Sequence, residues 1–250
     1  MYYEEKDLDE NKIRPYKFLC NNKTMTKEHR SIMAYFAIKY NLLKDGLFSF
    51  IQKIDKNTLK SHISRLMQNP DEEIIEKVES ILPYELDTHH LSENNKTNFG
   101  ATNNMKEWYS ETYFNLVTET FFGRNVFLSE KVFKPLSNLQ PFIVLGDYGT
   151  LAELKRLGFK TFDGFIDESY DLELDPKIRM AKIEKEIQKL NNKSIEEIHN
   201  WYYSIKDILL HNQKHLYTFE SYECFDEIFQ KIKLDYEKQQ QWNLQEKKLL

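Results

Sequence analysis

Residues 112–146 read Thr-Tyr-Phe-Asn-Leu-Val-Thr-Glu-Thr-Phe-Phe-Gly-Arg-Asn-Val-Phe-Leu-Ser-Glu-Lys-Val-Phe-Lys-Pro-Leu-Ser-Asn-Leu-Gln-Pro-Phe-Ile-Val-Leu-Gly. Two β-rich apolar runs, Tyr113–Val117 and Pro141–Leu145, flank a segment of helical character that starts at Ser129. The second run is an uninterrupted apolar stretch of the kind that strands buried on both faces show in parallel sheets. Ser129-Glu130-Lys131, with Lys134 one turn on, therefore stands at a helix N-terminus between two buried strands. Open α/β sheets collect phosphorylated ligands at such places.

The reading extends outward from there. Lys17–Asn21 forms a short strand around Phe18, Leu19 and Cys20. Thr26 is placed to cap a helix that carries Ile32, Met33, Phe36, Ala37 and Tyr40 on one face. Leu47–Ile51 is the next strand, so the order is βαβ and a parallel pair is expected. Two short helices over 57–82 divide at Asn69-Pro70, and the unpatterned segment 83–104 follows. Beyond the central block, Thr150 caps a helix ended by Gly158, and Phe159–Phe162 reads as a fifth short strand. From Asp175 the pattern is helical: Met180, Ile183, Ile187 and Leu190 make one stripe, and Ile195, Ile198, Tyr202, Ile205 and Leu209 make another. A third helix is expected over Phe219–Tyr236. The Trp201-Tyr202-Tyr203 cluster reads as core.

The fold class is thus α/β: a Rossmann-like, mostly parallel sheet of about five strands with C-terminal helices. The organisation expected is a polar arm over 1–16, a nucleotide-binding domain over 17–174 with a helical and loop insertion at 52–111, and helices over 175–250 packing on the same domain. Composition agrees, with 40% apolar and 14% aromatic residues. The 40 acidic residues outnumber 35 Lys plus Arg, for a formal charge of −5, which argues against a general nucleic-acid binder. Two cysteines, Cys20 and Cys224, lie in no metal-ligand spacing and read as reduced thiols. No apolar run approaches the roughly 18 residues that span a membrane, and the acidic N-terminus has no signal-peptide character. A cytoplasmic location is expected, the host cytoplasm if the source is viral.

Each candidate residue has two readings. Glu130 and Lys134 are four apart and can be a surface ion pair; alternatively Glu130 accepts hydrogen bonds from a ribose diol while Lys131 or Lys134 meets a diphosphate. Glu119, closing the strand, is either a capping carboxylate or a group that contacts donor-sugar hydroxyls or acts as base. Arg30 is either a solvated helix charge or a diphosphate contact near a helix N-terminus. Gly146-Asp147-Tyr148-Gly149-Thr150 lacks the Gly-Lys-Ser/Thr of a P-loop but can shape a backbone contact. Asp7-Leu8-Asp9 spells the string of metal-dependent glycosyltransferases but sits in the polar arm. His89-His90 reads as a solvated loop.

Leu128-Ser129-Glu130-Lys131-Val132-Phe133-Lys134 resembles the donor motif of fucosyltransferase-like glycosyltransferases with the GT-B fold. Phe114-Asn115-Leu116-Val117-Thr118-Glu119 resembles that family's strand ending in a carboxylate at the donor sugar. Gln140-Pro141-Phe142-Ile143-Val144-Leu145-Gly146 resembles the following strand and glycine. Phe18-Leu19-Cys20-Asn21 with Arg30 resembles the first strand and its phosphate-contacting arginine. The likeness runs over about 17–171 and departs at Val132-Phe133-Lys134-Pro135, where the family carries an aromatic and Arg-Asn; lysine keeps the charge but loses the bidentate fork. It implies a glycosyltransferase that takes a nucleotide-diphosphate sugar and passes the sugar to a glycan or other acceptor. Glu119 would be catalytic, and Arg30, Ser129, Glu130, Lys131, Lys134 and Gly146 would bind the donor. No metal cofactor is expected, since side-chain cations and a helix N-terminus serve the leaving group. A complete GT-B enzyme has a preceding acceptor domain, so a donor-binding half or non-catalytic module is a second expectation, and a phage-type enzyme that modifies nucleic acid a third.

Overall fold

The computed structural model describes residues 8, 10–86, 108–123 and 125–218. Asp7 and Asp9, His89 and His90, most of the 83–104 segment, Cys224 and the helix expected over 219–236 lie outside the described residues. Four strands form one parallel sheet: β1 (Tyr16–Asn22), β2 (Gly46–Phe50), β3 (Thr112–Thr118) and β4 (Phe142–Leu145), in the order β2-β1-β3-β4. The register sets Leu19 beside Leu47 and Asn115, and Val117 beside Val144. Every residue of β3 and β4 is buried; β4 is a continuous apolar run, and β3 buries Thr112, Asn115 and Thr118 among its apolar residues.

The helices follow from the crossovers. α1 (Glu28–Lys39) joins β1 to β2, and α4 (Glu130–Ser137) joins β3 to β4. Both crossovers belong to parallel pairs and run in opposite directions, so right-handedness puts α1 and α4 on opposite faces. α2 (Lys56–Leu66) and α3 (Glu72–Ile81) pack outside α1, and for that reason His29 through Ala37 are all buried. α5 (Thr150–Arg156) follows β4. α6 (Pro176–Asn191) packs on β4 and α2, while α7 (Ile195–Ser204) packs on β1 and β3 and α8 (Lys206–Thr218) on α4. Among the described residues no helix is long and apolar enough to cross a membrane.

Four details correct the sequence reading. Phe159–Phe162 is not a strand. Phe159 and Phe162 are buried, but side chains satisfy this backbone: Glu168 accepts from Phe162 N, and Asn212 both accepts from Lys160 N and donates to Lys160 O. The stripe Ile195–Leu209 breaks at Ile205 into α7 and α8. α1 begins at Glu28 with Lys27, not Thr26, in the cap position; Met25 is buried and its N–H is taken by Gln52, which holds the entering chain extended for longer. α5 likewise begins at Thr150 itself, with Gly149 at φ +79° as its cap.

Candidate functional site

Chain connections leave β1 toward one edge of the sheet and β3 toward the other. A crevice therefore opens at the carboxyl ends of these neighbours, the switch point where ligands bind in open α/β sheets. The turn after β1, the connection 119–129 after β3 and the turn after β4 meet there, and α1 and α4 point their N-termini at it. Thr118 Oγ1 donates to Asn22 Oδ1 (2.5 Å), tying the two strand ends together.

Glu119 is the hub. Its carboxylate is wholly buried and accepts from Thr120 N (2.8 Å), Ser129 N (3.0 Å) and Ser129 Oγ (2.6 Å). Its own N–H donates to Leu145 O, and its carbonyl accepts from His29 Nε2 at 2.7 Å. One residue thus fixes β4, the start of α1 and the start of α4. Gly146 makes this possible: a Cβ there would stand 3.1 Å from Thr150 Oγ1 and from Val144 Cγ2 and 3.5 Å from the Glu119 Cβ. Ser129, also buried, caps α4 by accepting from Lys131 N. Glu119, Ser129 and Gly146 thus serve the framework here, and both Glu119 carboxylate oxygens, expected to meet a donor sugar, accept hydrogen bonds inside the protein.

The remaining candidates come together on the open side of this frame. Lys131 Nζ lies 3.1 Å from Glu130 Oε1 and donates to Thr120 Oγ1 (3.1 Å) and Ser129 Oγ (3.3 Å). Glu130 retains 20% of its side-chain exposure. Burial works against its charge, but Lys131 and then Lys134 hold its carboxyl below the ordinary range. Across the crevice Arg30 is only 8% exposed. Its Nη1 donates to Thr24 O (3.3 Å) and Thr24 Oγ1 (2.5 Å), while its buried Nε has no hydrogen-bond partner among the described residues. Burial lowers the Arg30 pKa, opposed by the charges of Glu119, Cys20 and Glu130. Two helix starts, one partly open carboxylate and cations from both sides thus share one crevice. Lys27 puts no side-chain acceptor over the first turn of α1, and that turn presents the positive end of the helix dipole.

A second set of residues, which the sequence reading passed over, pins the 119–129 connection. The His29 ring stacks on Phe122 (5.6 Å between centroids), and the Arg179 guanidinium lies 4.4 Å from the same ring's centroid. Arg179 Nη2 donates to Gly123 O and Nη1 to Glu173 O, and Asp147 accepts from Gly123 N. Asp171 caps α5 by accepting from Leu151 N and Ala152 N. Burial pushes the Asp147 and Asp171 carboxyls up and lowers the Arg179 pKa. Burial also drives the His29 imidazole down to about 4, so it is neutral and donates Nε2–H to the Glu119 carbonyl. These partners are remote in the chain, and no local pattern announces them.

The chain matches no protein-family model, no curated protein and no solved structure. Among the described residues no group of three or more His, Cys, Asp or Glu is placed to hold a metal ion.

Proposed function

We propose that this chain binds a nucleotide-diphosphate sugar in the β1/β3 crevice and transfers the sugar to a glycan or other acceptor, as fucosyltransferase-like enzymes of GT-B type do. The observation that supports it best is the Glu130–Lys131 pair at the N-terminus of α4, with Arg30 of α1 within electrostatic reach of Glu130. Glu130 accepts from the two ribose hydroxyls, because an ionised carboxylate is an acceptor-only group with room for both. Arg30, Lys131 and Lys134, with the first turn of α1, neutralise the diphosphate. In the transfer, the bond from the anomeric carbon to the phosphate oxygen breaks and its electron pair leaves with the diphosphate. The acceptor oxygen bonds to that carbon and gives its proton to a base. The same cations stabilise the developing charge, so the reaction runs without a metal. Glu119 acts as a positioning residue and not as the base, since its oxygens are enclosed.

Isothermal titration with a panel of nucleoside diphosphates tests this. Wild type binds at least one, and Glu130→Ala weakens it about tenfold or more, the loss of a charged hydrogen-bond acceptor. If the wild type binds none, the proposal fails.

The enclosure of Glu119 favours one second reading, a module that binds the nucleotide sugar and transfers nothing. Donor turnover separates the two: free sugar or a glycosylated acceptor appearing at a rate that Glu130→Ala abolishes excludes the module.

A further inference from the structure

We infer that Phe121 and Phe127 form the face on which the base of the bound nucleotide stacks, an inference that rests on the nucleotide-sugar reading above. Both rings lie on the 119–129 connection that leads from β3 to α4, 47% and 44% exposed. They meet edge to face, 5.3 Å between centroids at 87°, so together they make a corner. The Lys27 ammonium lies 5.1 Å from the Phe121 centroid. Val126, 43% exposed, sits beside them on the same connection.

These rings are held, not trailing. Glu119 fixes the connection at Thr120 and at Ser129. Phe122 lies against His29 and Arg179, and both backbone groups of Gly123 are taken, by Asp147 and Arg179. Four buried polar residues, Glu119, His29, Asp147 and Arg179, therefore hold the loop that carries the two partly exposed aromatics. Rings presented from a rigid frame bind flat ligands with little ordering cost.

Position selects the base from the other flat or apolar occupants. Phe121 follows Thr120, whose hydroxyl accepts from Lys131, and Phe127 lies on the approach to Ser129 and Glu130. With the ribose at Glu130 and the diphosphate between Lys131 and Arg30, the base hangs from the ribose on the side of the 119–129 connection. The transferred sugar lies at the other end of the diphosphate. Two phenyl rings and a valine are also far less than the roughly 800 Å² that each partner of a stable protein complex buries. Neither ring offers a hydrogen bond, so the stack accepts any base by its π-face.

The test titrates the full chain with GDP, ADP and UDP, with inorganic pyrophosphate as a probe that lacks a base. Wild type, Phe121→Ala, Phe127→Ala and Phe127→Tyr are compared, with thermal melts confirming that each is folded. Expected is about a tenfold or greater rise in the nucleotide Kd for each alanine variant, unchanged pyrophosphate binding, and near-wild-type affinity in Phe127→Tyr. If the alanine variants weaken pyrophosphate as much as nucleotide, the rings hold the frame and not a base, and the inference falls. It falls also if wild type binds nucleotide and both alanine variants bind it equally well, a result that leaves the nucleotide-sugar reading standing. Loss of affinity for a nucleotide sugar but not for its diphosphate assigns the rings to the sugar and overturns the inference. Failure of wild type to bind any nucleotide overturns both readings.

Discussion

Arg14 lies at the amino end of the central strands and Arg30 at their carboxyl end, and each is more than nine-tenths buried. Arg14 donates Nη1 to Tyr109 O (3.0 Å) and Thr112 O (2.6 Å) and Nη2 to Tyr202 OH (2.9 Å), between the rings of Tyr113 and Tyr202. Its backbone N–H meets Tyr113 OH, which is bonded to His199. Gln140, also buried, donates to the same two carbonyls and to Thr112 Oγ1. Among the described residues, Arg30 donates to Thr24 and its Nε has no partner. A buried guanidinium without its full set of acceptors costs stability. The better-paired arginine at one end of the sheet contrasts with the poorly paired one at the other, and under the proposal above the second is the one that meets an anion.

The largest stability effect is expected at the better-paired end. Arg14→Ala removes three buried charge-assisted hydrogen bonds, leaving the two carbonyls to Gln140 alone, and opens a hole between two rings, for a loss of about 3–5 kcal/mol. Urea unfolding measures it. Nucleotide affinity of the folded fraction stays within about twofold of wild type. A loss below about 1 kcal/mol would erase the contrast between the two arginines.

His29 gives the next largest effect, and it depends on pH. Its folded pKa is held near 4 by burial against 6.5 ordinarily. The unfolded chain therefore binds more protons between those values, and the stabilisation present above about pH 6.5 is lost as pH falls toward 4. The shift corresponds to about 3 kcal/mol at most. Urea midpoints taken from pH 7.5 down to 4.5 should fall more steeply for wild type than for His29→Gln, which has no proton to take up. Parallel curves would mean that His29 is hydrated and not sealed against Phe122.

Glu119→Gln comes third. An amide in place of the carboxylate turns a donor toward Ser129 and Thr120, for a loss of about 2 kcal/mol, and it loosens the start of α4. Thermal melts and nucleotide titration should move together. Wild-type stability combined with abolished sugar transfer would make Glu119 catalytic after all and refute its assignment to the framework.

What the sequence disclosed follows the range of the interactions involved. β3, β4 and the βαβ start were legible because burial on both faces writes itself as a continuous apolar run, and α2, α3 and α6 because a one-sided stripe does the same for helices. Phe159–Phe162 misled for the same reason: the pattern records burial, and Glu168 and Asn212 supply hydrogen bonds that a strand partner would otherwise give. Glu130, Lys131 and Arg30 were singled out through motif order, and the structure pairs Lys131 with Glu130 at the start of α4. Whether Glu119 faces ligand or protein depended on Ser129 and His29 closing around it. His29, Phe122, Asp147 and Arg179 were illegible because each finds its partners across the fold.

Arg30 itself gives the smallest stability effect and the sharpest functional one. Arg30→Met removes two bonds to Thr24 but also a buried, incompletely paired charge, so the unfolding free energy should change by no more than about 1 kcal/mol in either direction. Nucleoside diphosphate affinity should fall about tenfold or more, since a charge-assisted contact to phosphate is lost where water is scarce. Arg30→Lys should recover only part of it, because an ammonium keeps the charge without the planar fork. Titration and urea unfolding on the three proteins decide the matter. If Arg30→Met is as damaging to stability as Arg14→Ala while nucleotide binding per folded molecule is intact, the two ends of the sheet are alike and Arg30 is a structural residue with a poor set of partners.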